Sequence, residues 1–289
     1  MGALRQATKW ASATVDAVLR PDAGITVLIY HRVGRRTSVE VDLPADRFAE
    51  QLAWLRAEAD VLDLDEAVRR LDAPAPIPPG TGRPDRPAVV VTFDDGTADF
   101  ADVAVPLLVE HGVPATLYVA TAFVDEGRPF PDDGTPLSWG ALADAASSGV
   151  VTVGSHTHTH ALLDRLDPGA VGDELDRSID LIGEHVGTPP MHFAYPKAVA
   201  PGAEADAAVR ARFVSAALAG TRANAVGRTD LHRLARSPVQ VADGMRWFVR
   251  KARGGMGAED RAPAQPGPLP SGDELTWPPP DAAAPAPCT

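Results

Sequence analysis

Val89-Val90-Val91-Thr92-Phe93-Asp94-Asp95-Gly96 runs β-branched apolar residues into two adjacent carboxylates and a glycine. The run Ala88 to Phe93 reads as a fully buried strand of a parallel sheet, apolar on both faces. Two carboxylates where such a strand ends are costly unless a metal, a cation or a proton compensates them. That end of the strands is also where parallel α/β folds place their ligands. A single acid there would serve as the N-cap of the next helix, a role open to Asp95 or Thr97. Two in a row, beside a glycine that permits a tight turn, suggest one metal ligand and one base.

Outward from this stretch, strands and helices alternate. On the N-terminal side, Ile25 to Tyr30 reads as a strand that delivers His31 at its end. Phe48, Leu52 and Leu55 mark a helix through Asp46 to Ala57, followed by a strand near Val61-Leu62 and a helix from Asp65 to Leu71. On the C-terminal side, a helix from Ala98 to Glu110 closes at His111-Gly112, and Ala115 to Ala120 is the next strand. Phe123 to Pro136 is expected to be a polar loop lining the site. Trp139 to Ser148, Asp167 to Gly187, Glu204 to Arg212 and Arg246 to Arg253 read as helices. Val150 to Val153, Met191 to Tyr195 and Phe213 to Leu218 read as strands. The pattern is α/β, with about seven strands in a parallel sheet that is open or closed into a barrel.

The chain divides into an N-terminal amphipathic helix (1–24), one α/β domain (25–253) and a Pro/Gly-rich tail (254–289). The tail holds nine of the 28 prolines and no apolar periodicity, so disorder is predicted for it. Ala73 to Pro87, with six prolines and two glycines, is predicted to be a surface loop. The net charge of −12 and the scattered placement of arginine argue against nucleic acid as a partner. The single cysteine, Cys288, permits no intrachain disulfide. No apolar run approaches the length of a membrane span. Met1 to Arg20 lacks the continuous apolar core of a signal peptide, so a cytoplasmic location is expected, with membrane-surface attachment through the first helix as the second option.

Gly154-Ser155-His156-Thr157-His158-Thr159-His160 follows a strand directly. If the intervening residues turn, His156 and His160 can face one side and ligate one divalent ion, while His158 points elsewhere. The plainer reading is a polar loop that happens to be rich in histidine. An Asp pair at another strand end tips the balance. Two imidazoles and one carboxylate with an open position make a hydrolytic metal site and leave the second carboxylate free as a base.

These residues, together with Pro106-Leu107-Leu108, Gly112-Val113-Pro114-Ala115-Thr116, Leu137-Ser138-Trp139 and Tyr30-His31-Arg32-Val33, resemble the polysaccharide deacetylases with a NodB-type domain, carbohydrate esterase family 4. The resemblance covers about Ile25 to Val249. It implies a distorted, incomplete (β/α) barrel with a divalent metal at the C-terminal ends of the strands, often zinc, sometimes cobalt or nickel. Asp95, His156 and His160 would be the metal ligands. Asp94 would be the base that deprotonates the attacking water. The substrate would be an acetylated amino-sugar glycan.

Some motifs depart from the family's pattern. Its third motif often places Arg before a Pro, whereas this chain has Phe193-Ala194-Tyr195-Pro196-Lys197-Ala198, without the Arg that usually tethers the catalytic Asp. Tyr195, Pro196 and Lys197 are expected to contact substrate, with His31 lining the same site. Leu231-His232 matches the Leu-His of the last motif and makes His232 a candidate general acid. Relatives that begin Tyr-His-Arg-Val often end instead in Leu-x-Arg, which Leu234-Ala235-Arg236 fits. Two other functions remain open on these residues: hydrolysis of a small non-peptide amide, and glycan binding without catalysis. Oligomeric state is unassigned.

Overall fold

The computed structural model describes residues 24–73 and 86–257. The helix expected before residue 24, most of the proline-rich loop and the tail beyond residue 257 lie outside the described residues. The described strands are β1 (Ile25–Tyr30), β2 (Arg32–Val33), β3 (Asp42–Leu43), β4 (Asp60–Leu62), β5 (Ala88–Phe93), β6 (Ala115–Val119), β7 (Val151–Ser155), β8 (His192–Ala194), β9 (Ser215–Ala217) and β10 (Arg236–Pro238). The α-helices are α1 (Ala45–Glu58), α2 (Leu64–Asp72), α3 (Val105–His111), α4 (Thr121–Glu126), α5 (Trp139–Ser147), α6 (Pro168–Val186), α7 (Ala203–Arg210) and α8 (Gly244–Ala252).

Seven parallel strands follow one path, β10-β1-β5-β6-β7-β8-β9, and curl into a nearly closed barrel. β5 pairs with β1 along its whole length. On its other edge it pairs first with β4 and then with β6. The seam between β9 and β10 has no continuous ladder. It is spanned by the parallel bridge Ala217↔Leu234 and by the bond from the Gly220 amide to the Arg236 carbonyl (2.8 Å). Below the seam, the buried Asn224 side chain bonds Ala235 through both its amide nitrogen (2.9 Å) and its oxygen (2.8 Å). The sequence reading arrived at seven strands with β4 among them. The path instead includes β10, which is three residues long and ends on a proline.

Strand alternation separates two cores. Val89, Val91 and Phe93 of β5 face outward and pack with Phe48, Leu52 and Leu55 of α1 and with Phe248 of α8. Val90 faces the barrel interior with Val27, Tyr118, Ala194 and Leu234. A third cluster seats α6 and α7 on β8 and β9 through Leu175, Val209, Phe193 and Phe213. The helices carry their own stop and start signals. Asp63, Ser138 and Asp167 cap α2, α5 and α6 by accepting from backbone N–H groups, and Gly112 and Gly187 end α3 and α6 in left-handed conformations.

Two stretches differ from the sequence reading. The helix expected from Ala98 begins as a π-helical segment, Phe100–Ala104, before α3. Pro106 has no N–H to give the preceding turn, and the Val105 amide reaches five residues back to Phe100. The loop expected from Phe123 begins instead inside α4, stopped by Gly127. At the C-terminal boundary, packing continues past Arg253: Met256 is buried against Trp247.

Gly154 lies opposite Tyr118 in the β6–β7 register, and a Cβ at that position would come within 2.6 Å of the Tyr118 ring and 2.9 Å of the His192 carbonyl. Gly154→Ala is therefore expected to destabilise the fold by about 1–3 kcal/mol through overpacking, read as a lower urea midpoint at unchanged slope.

Candidate active site

β5 delivers Thr92 and Asp94 to the barrel interior, two residues apart on one face. The Asp94 amide continues the ladder by bonding the Tyr30 carbonyl (3.0 Å). Across the interior, β10 aligns Arg236 with Val27. The Arg236 guanidinium grips both Asp94 oxygens, Nη1 to Oδ1 at 2.6 Å and Nη2 to Oδ2 at 2.8 Å. The same fork donates to Thr92 Oγ1 (3.2 Å) and to the Leu218 carbonyl (3.3 Å), and it lies 5.0 Å over the Tyr118 ring. Both partners are buried, Asp94 at 5% and Arg236 at 1% exposure. Burial alone would raise the Asp94 pKa. The Arg236 charge, followed by His156, outweighs it and holds the carboxyl well below the ordinary range.

Asp95 turns out of the strand through a left-handed conformation (φ 76°), and Gly96 follows at φ 100°. Its carbonyl accepts from Ala120 (3.0 Å), and the Gly96 carbonyl accepts from Leu137 (3.0 Å), so the turn is held from two sides. The His156 amide bonds the Val119 carbonyl (2.9 Å), which brings the end of β7 to the same level. His156 Nδ1 lies 2.7 Å from the Ala194 carbonyl. That acceptor requires a proton on Nδ1 and leaves the Nε2 lone pair facing the cluster. Nε2 of His156 is 3.8 Å and Nε2 of His160 is 3.5 Å from the same oxygen of Asp95.

One ligand atom from each of Asp95, His156 and His160 lies within 4.8 Å of the other two. The Asp95–imidazole separations exceed a good hydrogen bond. They match the roughly 3.4 Å expected between two donors on an ion with bonds of about 2.0–2.2 Å. Burial, with the His156 charge next, lowers the His160 pKa to about 4, so that ring is neutral at pH 7. Neutral imidazole is the form that ligates. The donor set therefore fits one divalent ion.

Residues 81–213 match the family model described as polysaccharide deacetylase. Over that segment the chain is similar to the polysaccharide deacetylases. Solved structures share its fold. The deacetylase PplD of Streptococcus pyogenes, in complex with acetate, is 20% identical, with a TM-score of 0.66 over 80% of this chain and 99% of its own. IcaB from Ammonifex degensii is 26% identical, with a TM-score of 0.66 over 81% of this chain and 98% of its own. A de-N-acetylase from Aggregatibacter actinomycetemcomitans is 18% identical, with a TM-score of 0.63 over 78% and 99%. No curated protein sequence matches the chain.

Within this fold, Asp94, Asp95, His156 and His160 converge at one end of the strands. His31 joins them, close enough to act electrostatically on Asp94, and its buried Nδ1 has no hydrogen-bond partner among the described residues. Lys197 is exposed in a left-handed turn (φ 52°), close enough for its charge to act on His160, and Pro196 is buried beneath it. Two other residues are placed elsewhere. Tyr195, expected to contact substrate, is 1% exposed in the cluster of Phe193 and Phe213 under α7, because strand alternation turns it away from Ala194. His232, expected as general acid, bonds the Phe213 carbonyl through Nε2 (2.8 Å). Phe213 precedes β9, so this imidazole sits at the opposite end of the strands from the carboxylates.

Arg236 is the site residue the sequence reading did not assign. Its signal was Leu234-Ala235-Arg236, and it enters from beyond the segment that matches the family model. A polar chain at the other end of the barrel also draws notice: Asp65 Oδ1 to His192 Nε2 (3.0 Å) and His192 Nδ1 to Ser215 Oγ (2.9 Å). Ser215 is fully buried and meets no substrate, so the chain serves to tie α2 to β8 and β9. It borders a cavity of about 360 Å³ that is remote from the carboxylates.

Removing one partner of the buried pair should cost far more than losing a surface bridge. Arg236→Met is expected to lower stability by about 3–5 kcal/mol at pH 7, because it leaves the Asp94 charge uncompensated. The folded-state pKa of Asp94 is depressed, so its contribution is fully present above the unfolded value of about 3.9 and is lost as pH falls further. The gap between wild type and variant should narrow below pH 4 in urea titrations. A pH-independent gap would mean that Arg236 acts by packing alone.

Proposed function

We propose that the protein is a metal-dependent hydrolase that removes N-acetyl groups from amino sugars of a polysaccharide, oligosaccharide or glycan precursor. The convergence of Asp95, His156 and His160 beside a separate, guanidinium-held Asp94 carries this reading. The family model supports it, as does the 26% identity to IcaB over nearly the whole barrel.

Asp95, His156 and His160 would hold a divalent ion, with zinc the first candidate for two imidazoles and one carboxylate. When bound, such an ion supplies a Lewis acid that polarises the acyl oxygen and acidifies water. Asp94 then receives the proton of the attacking water. The Arg236 fork keeps that carboxylate ionised and fixed in orientation, with one oxygen 4.0 Å from His156. An amine leaves poorly unless it is protonated. We assign that delivery to His31, whose Nδ1 has no partner among the described residues and which lies close enough to act on Asp94. Lys197, exposed at the rim, would meet the glycan outside the reacting acetamide.

The test measures metal content and acetate release on one purified sample, with acetylated chitooligosaccharides and a panel of small amides as substrates. One divalent ion per chain is expected, with acetate released from the glycans. Asp94→Asn should keep the metal and lose activity by about 10²–10⁴-fold. Metal binding with release only from small amides would replace the glycan by a small substrate. A metal-free chain would end the reading.

A further inference from the structure

The turn that carries the two imidazoles is held by residues outside the metal set. Thr157 (φ 65°) and His160 (φ 64°) are both left-handed without being glycine. Conformations of this kind cost of order 1 kcal/mol or more each and persist only where surrounding bonds over-determine them. On one side α4 supplies those bonds. The Thr121 and Ala122 amides donate to the Thr157 (3.3 Å) and His158 (2.8 Å) carbonyls, and Thr121 Oγ1 lies 2.9 Å from His158 Nδ1. On the other side stands Glu174 of α6. Its Oε2 accepts from the His158 amide (3.0 Å) and the Thr159 amide (2.8 Å), and its Oε1 accepts from the Thr159 hydroxyl (2.7 Å).

We propose that Glu174 is a positioning residue for the metal centre, setting the direction of His160. This rests on the reading of Asp95, His156 and His160 as ligands. The two imidazoles are supported unequally. His156 is oriented by the Ala194 carbonyl, whereas among the described residues no hydrogen bond holds the His160 ring, which meets the edge of Phe123 at 6.4 Å and His156 at 4.9 Å between centroids and the Asp95 carboxylate at 3.5 Å. The direction of His160 therefore comes from its backbone. Two consecutive amides that point the same way form a small anion-binding concavity, and a carboxylate fills it with charge-assisted bonds stronger than neutral ones. Without Glu174 both amides lose their acceptor on the side where the turn is partly buried. The turn then relaxes toward ordinary φ values, and Nε2 of His160 swings away from Asp95.

The experiment titrates Zn²⁺ into metal-free full-length protein by calorimetry and records the Co²⁺ visible spectrum as a readout of ligand geometry. Glu174→Ala is expected to weaken metal affinity by about 10–100-fold and to alter the Co²⁺ bands. Glu174→Gln, which keeps an acceptor for the amides, should recover most of that loss. Asp176→Ala removes the Arg212 pair from the same helix and should leave affinity and spectrum unchanged. Wild-type affinity in Glu174→Ala, or equal losses in Glu174→Ala and Asp176→Ala, would overturn the assignment while leaving the metal centre standing. No binding by the wild type would overturn both. If Glu174→Ala does not fold, Thr159→Val removes only the hydroxyl bond and should still weaken affinity by about three- to tenfold; wild-type affinity there would equally refute the role.

Discussion

A carboxylate buried at the mouth of a barrel needs an opposite charge, and Asp94 finds it in Arg236. Everything near the seam serves that contact. Arg236 must reach across the interior from a strand 142 residues further along the chain. Strand β10 is only long enough to register beside β1 and present one guanidinium inward. The Leu218 carbonyl, the Thr92 hydroxyl and the Tyr118 ring occupy the other faces of the fork, so the charge is solvated by protein rather than by water. An incomplete seam is compatible with this, because Leu234 and the Arg236 carbonyl are themselves bonded across it, to the Leu218 and Gly220 amides. Gly154 takes part at one remove: its missing side chain lets the Tyr118 ring lie flat in the interior, under the guanidinium.

Backbone strain gathers at the same end. Asp95, Thr157, His160, Lys197 and Ala198 all hold positive φ without being glycine, and all follow the C-terminal end of an inner strand. Strands paired in parallel would otherwise project their last side chains up and out. Left-handed residues turn those side chains toward one another. The cost is met by bonds that cross between loops: Ala120 to Asp95, Leu137 to Gly96, Ala122 to His158, and the Glu174 carboxylate to the turn beside His160. Such a site is rigid before any ligand arrives, which is the condition for aiming charge at a reacting atom without reorganisation.

Much of this architecture was legible in the chain. Buried parallel strands are continuous apolar runs, so Ile25–Tyr30 and Ala88–Phe93 could be read to the residue, and capping residues and glycines marked several helix ends. The imidazole pair was legible because its spacing allows His156 and His160 to face one side once the residues between them turn, as Thr157 does at φ 65°. What could not be read depended on contacts between distant segments. β10 is three residues long and ends in Pro238, so it lacks any local strand pattern, and its arginine has meaning only once β1 and β5 are adjacent. Tyr195 and His232 failed for a related reason. A motif places a residue near a strand end, but alternation decides which face a side chain takes, and only the tertiary path decides which end of the barrel a loop reaches. Glu174 carries no signature at all, being one acid among several on a solvent-facing helix.

The two adjacent aspartates illustrate how neighbouring identical residues come to hold different roles. Asp94 continues the strand, so alternation points it inward to a permanent cation that keeps it ionised. Asp95 lies one residue on, where alternation would have sent it outward into the helical layer. Its positive φ reverses that and brings the carboxylate over the barrel mouth, within reach of two imidazoles rather than in the grip of a guanidinium. One acid is thus satisfied by the protein itself. The other has no guanidinium bonded to it among the described residues, and on the proposed reading its negative charge is available to a divalent ion. On the proposed reading, exchanging their surroundings would disable both, because a guanidinium at Asp95 would compete with a metal, and an ion at Asp94 would remove the base. The difference rests on one backbone dihedral between residues of the same type, held open by the Gly96 turn that follows.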